Sequence, residues 1–161
     1  MELTPEAVRA ERDRLRERAD VVVPLVNEVR AWLGTAFETE VDAVTVEQYR
    51  REVDAVFADG DLAVNVAALS GILRELDVEG DYPGFVVDEL LGRELAGTIA
   101  ATKGRAFSLL AEATFHYADI HTPGEAGEAA GADDLTAALA AGFQTRLPGW
   151  SWTETESPFG V

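Results

Sequence analysis

Residues 15–33 read LRERADVVVPLVNEVRAWL. Within them Leu15, Ala19, Val22, Val26, Val29 and Leu33 recur at intervals of 4, 3, 4, 3 and 4. That is the apolar stripe of a helix packed against a core. Pro24 falls inside the stripe. Either one long helix is kinked there, or a second helix starts with Pro24 in its first turn and residues 21–23 as the joint. Upstream, Thr4, Pro5 and Glu6 form a helix start: a hydroxyl cap, a proline whose missing N–H costs nothing, and an acid at the positive end of the dipole. Gly34 and Thr35 end the pattern.

The same periodicity recurs downstream. Thr45 and Gln48 have capping-box spacing, ahead of Val46, Tyr49, Val53, Val56 and Phe57. Asp59-Gly60-Asp61 stops that helix, with Asp61 read as the next cap, before Leu62, Val66, Leu69, Leu73 and Leu76. Residues 77–84 are a turn rich in Asp, Gly and Pro. Helices are expected over 85–101 and 106–120. In the former, Gly92 and Gly97 each cost about 1 kcal/mol against alanine unless close backbone approach offsets it. Residues 122–132 read as a flexible loop. A short last helix over 135–141 is capped by Asp133 or Asp134 and closed by Gly142. No segment pairs convincingly as a sheet. The expected fold is all-α, a bundle of about five helices over 1–142 with an extended aromatic tail over 143–161.

Composition bounds the chemistry. The 161 residues suit one domain, and 47% are hydrophobic, enough for a packed core. The absence of cysteine excludes disulfides, thiol nucleophiles and thiolate metal sites. Thirty acidic residues against thirteen basic give a net charge of -17, which opposes a broad nucleic-acid surface. Such a surface repels itself at low salt and is relieved at high salt. With one lysine, 17 valines and 3 isoleucines, the composition suits a salt-accumulating cell. There is no secretory start and no run of about 20 apolar residues, so the expected setting is a high-salt cytoplasm, or a virion assembled there, and no membrane.

The candidate sites are few. Glu112, His116 and Asp119 would share one helix face, with His121 nearby, a set of donors used for zinc or non-haem iron. His121 is five residues from His116, a poor separation for two ligands on one helix, and both histidines also suit a helix C-terminus. Asp77, Glu79 and Asp81 alternate as in a calcium loop, but the twelfth position is Asp88 rather than glutamate. Neither Ser70 nor Ser108 sits in a nucleophile motif, and Lys103-Gly104 lacks a phosphate loop. No catalytic residue, metal or cofactor is therefore assigned.

Surfaces carry the functional expectation instead. Five of the twelve arginines fall in residues 9–18, and Arg9, Arg12 and Arg16 are candidate contacts for an acidic neighbour. The tail offers Phe143, Arg146, Leu147, Trp150, Trp152 and Phe159, residue types enriched as interface anchors. The expected function is a non-enzymatic structural protein that packs on copies of itself and on neighbouring subunits. Head–tail connectors of tailed viruses offer an analogy of architecture, a helical body with an extended tail, with no shared motif. A helical metal-binding protein or enzyme using His116, Asp119 and His121 is the first alternative. An acidic transcriptional regulator acting through the arginine-rich first helix is the second.

Overall fold

The computed structural model describes residues 2–76, 87–101, 105–121 and 132–150. Its described residues form seven helices and no strand beyond one isolated bridge, Val41 to Trp150. The helices are α1 (Pro5–Glu17), α2 (Ala19–Ala36), α3 (Val46–Ala58), α4 (Gly60–Arg74), α5 (Val87–Ile99), α6 (Arg105–His121) and α7 (Ala132–Gln144). The class is all-α as expected, although seven helices replace about five.

Local chemistry explains most of the boundaries. The Thr4 hydroxyl accepts from the Ala7 N–H at 3.1 Å, with Pro5 opening the helix. Thr45 and Gln48 complete a reciprocal capping box: the Thr45 side chain accepts from the Gln48 N–H at 3.1 Å, and the Gln48 side chain accepts from the Thr45 N–H at 2.9 Å. Asp59, not Asp61, caps α4, accepting from the Leu62 N–H at 3.2 Å. The break in the 15–33 stripe falls at Arg18 rather than at residues 21–23, and Pro24 lies inside α2. Pro24 and Asp20 both face outward, so solvent can satisfy the Asp20 carbonyl that proline leaves without a donor.

The last helix departs furthest from expectation. It is neither short nor peripheral: α7 packs against α2, α4, α5 and α6, and every residue from Asp134 to Thr145 is buried. Gly142 does not end it. A Cβ there would lie 2.7 Å from Ile99 Cβ, so the glycine lets α5 and α7 approach where any side chain would collide. Gly92 serves the same purpose, its missing Cβ leaving room for the Phe115 ring and the Asp134 carbonyl, whereas Gly97 has open space around it. Helix α1 packs on α3 and α4. Buried Glu11 on α1 takes Arg14 at 2.8 Å and also binds Arg74 of α4.

The boundary at 142 also moves. Helix α7 continues to Gln144, and the chain to Trp150 folds back on the bundle. Residues 143–150 therefore lie against the helices instead of extending away from them. Trp152 and Phe159 lie outside the described residues.

Candidate functional site

Both ends of α7 gather polar groups in the interior, by opposite means. At its C-terminal end stands Arg30 of α2, 1% exposed. Its Nε donates to Gln144 Oε1 at 2.7 Å, and its Nη1 to the carbonyls of Asp42 and Pro148 at 2.7 and 2.6 Å. Its guanidinium lies 4.5 Å from the centre of the Trp150 ring. The Trp150 indole N–H in turn donates to the Gln144 carbonyl, and the Gln144 amide donates to the Val26 carbonyl. Burial pulls the Arg30 pKa down to about 10, partly countered by Asp42, so it remains a cation at neutral pH. One buried cation thus ties α2, the segment around Asp42 and residues 144–150 into a single knot.

The N-terminal end of α7 gathers carboxylates. Asp88 opens α5, Asp133 and Asp134 lie in the first turn of α7, and all three offer oxygens within 4.8 Å of one another. Asp134 is 3% exposed and Asp88 7%, with Asp133 half-buried. Asp119, at the far end of α6, reaches the same group and hydrogen-bonds with Asp134. One favourable reason for acids here is the positive end of each helix, and Asp88 Oδ1 accepts from the Glu89 N–H at 2.9 Å. That does not satisfy Asp134. Its Oδ1 is buried without a hydrogen-bond partner. Burial first, then the hydrogen bond to Asp88 and the charges of Asp133, Asp88 and Asp119, hold the Asp134 carboxyl well above the usual range. Burial and Glu89 raise Asp119 as well, against the lowering effect of Arg93. Arg93 is engaged by Glu89 at 3.1 Å and by the Phe115 ring face.

The residues expected to act as sites are distributed differently. Glu112, His116, Asp119 and His121 do not converge as one ligand group. Asp119 turns toward Asp134, His121 stacks on Tyr117 at 4.1 Å, and Glu112 lines a groove with Arg93 and Ser108. Among the described residues the converging acidic set is Asp88, Asp133 and Asp134. Phe143, Leu147 and Trp150 are core residues, 0–3% exposed, and so are not available to a partner in this arrangement. Arg146 is half-buried and donates to the Ile99 carbonyl at the end of α5. On the first helix, Arg9 pairs with Glu6, Arg12 with Asp13, and Arg16 with Asp54 of α3. Of these, only Arg16 spans two helices, and it does so within the chain.

A third feature lies on the outside. Trp32 of α2, 45% exposed, packs its ring 5.1 Å from Tyr117 of α6, which carries the stacked His121. The Tyr117 hydroxyl donates to Glu28 Oε1 at 2.9 Å, fixing the ring on the surface. Ile120, one turn from Tyr117, is 59% exposed.

Two of these features had a sequence signal. Arg30 stands four residues after Val26 and three before Leu33, on the apolar stripe itself, where a cation requires buried acceptors. The run 135–141 is apolar nearly all round, the mark of a central helix, which makes an acid at its start a buried acid. Nothing local announces that Asp88 joins it. No helix among the described residues is by itself long and apolar enough to cross a membrane. No curated protein and no solved structure matches the chain. A family model does match, over residues 1–161, and the chain therefore belongs to the family described as Domain of unknown function (DUF7984).

Proposed function

We propose that this chain is a non-enzymatic assembly protein, working through contacts with further copies of itself and with neighbouring subunits. The observation that carries the reading is the outward aromatic strip Trp32–Tyr117–His121. Aromatic rings with few rotatable bonds, held in place before any partner arrives, lose little entropy on docking. The Glu28 bond and the ring stack supply that order here. The exposed rings of Trp32 and the exposed Ile120, one turn from Tyr117, are also apolar surface that burial against a partner would stabilise. The arginine-rich face of α1 is the weaker candidate, because Arg12 and Arg16 already have partners within the chain.

The acidic, lysine-poor surface supports a high-salt setting, since bringing two such surfaces together requires their repulsion to be screened. A place in a virion, of the head–tail connector kind, belongs to the same reading. Light scattering of the full chain in molar KCl tests it. The expected mass is a multiple of 17.3 kDa, falling to 17.3 kDa in Trp32→Asp while the helical circular dichroism signal is kept. Truncation after Trp150 separates the contribution of Trp152 and Phe159. A full chain that stays at 17.3 kDa across the concentration range overturns the reading.

A further inference from the structure

Asp88, Asp133 and Asp134 meet at the start of the helix on which the rest of the core is built. Acids at helix N-termini are common, and such a group by itself signifies nothing. Asp134 sets this one apart. It is 97% buried by its 3% exposure, brings an oxygen within 4.8 Å of its two neighbours, and keeps its other demand unmet, with Oδ1 lacking any hydrogen-bond partner. Hydrogen bonds to Asp88 and Asp119 answer part of the repulsion among these acids, yet Oδ1 still has no donor, in a chain already carrying a net charge of -17.

We propose that Asp88, Asp133 and Asp134 bind a hard divalent cation, Ca²⁺ or Mg²⁺, which ties the N-terminus of α7 to that of α5. The donor set is all oxygen, the chemistry these ions prefer over zinc or iron. Ligands about 2.3–2.6 Å from a calcium ion stand at most about 5 Å apart, and those around magnesium about 4 Å, so oxygens within 4.8 Å of one another suit calcium as they stand and magnesium only on drawing closer. Half-buried Asp133 and exposed Asp119 mark the side open to solvent, where water completes the shell and Asp119 acts as an outer acceptor. This site is separate from the aromatic strip, and its failure would leave the assembly reading untouched.

The test is thermal unfolding of the full chain, stripped with EDTA and held in molar KCl so that general screening is already saturated. CaCl₂ or MgCl₂ is then added at millimolar concentration. One of the two salts should raise Tm by about 5–10 °C at a hundredfold excess over its dissociation constant, the larger response identifying the ion. Asp134→Asn should keep its helical signal, show no rise, and melt no lower than wild type in EDTA. Asp133→Asn, on the half-buried side, should need about tenfold more of the salt for the same rise. The absence of a rise with both salts overturns the site, as does an undiminished rise in either variant.

Discussion

The two ends of α7 pose the same problem, charge in a dry interior, and resolve it differently. At the C-terminal end a single guanidinium is surrounded by neutral acceptors: a side-chain amide and the carbonyls of Asp42, Leu147 and Pro148. Each nitrogen of Arg30 finds an acceptor there in the chain itself, so the knot calls for no group from outside. At the N-terminal end carboxylates face carboxylates, and one buried oxygen has no donor. The helix dipole favours both arrangements equally. What separates them is donor count. Guanidinium brings five donors to oxygens that need them, whereas the acids bring many acceptors and few protons to share among them. One end is closed by the fold, and the other calls for something positive from outside it.

The largest effect is expected where the knot is cut. Arg30→Met removes the donors from Gln144 and the carbonyls of residues 42, 147 and 148 while keeping most of the bulk. Denaturant unfolding should lose about 3–5 kcal/mol, the range for breaking a buried charged network. Arg30→Lys should recover only part of it, because an ammonium cannot reproduce the flat fork. A loss under about 1 kcal/mol would mean that the two ends are alike and that neither is tightly committed. Gly142→Ala probes the middle, where α5 and α7 touch. Its Cβ would collide with Ile99, and overpacking should cost about 1–3 kcal/mol by the same measurement. The smallest effect is one of slope. Asp134 and Asp119 hold their protons in the folded state to higher pH than in the unfolded chain. Above about pH 4 the folded state therefore binds more protons than the unfolded one, and unfolding free energy should fall as pH rises through neutrality. That fall, followed in EDTA, should be shallower in Asp134→Asn. A slope unchanged by the variant would place the carboxylate strain elsewhere.

Helix periodicity alone made the all-α class legible, and caps such as Thr4 and the Thr45–Gln48 pair were readable because they act across three residues. The centre of the fold was not. Residues 135–141 look like a minor helix because a small alanine-rich segment has a weak amphipathic signal, yet that weakness reflects burial on every side. Trp150 and Phe143 look like anchors for a partner because interfaces and cores favour the same aromatic side chains. Trp150 lies against Arg30 and Phe143 against Tyr49, both distant in sequence, and only tertiary structure joins them. The histidines drew attention as rare ligating residues, while the converging carboxylates come from separate helices and have no shared sequence motif.

The most direct measurement compares one increment in three proteins: the unfolding free energy gained on adding the responding divalent salt to wild type, Arg30→Met and Asp134→Asn in molar KCl. The gain should survive in Arg30→Met, shifted to a lower baseline, and vanish in Asp134→Asn. Equal gains in all three, or a gain lost with Arg30 and kept without the Asp134 charge, would contradict the division of labour between the two ends of α7.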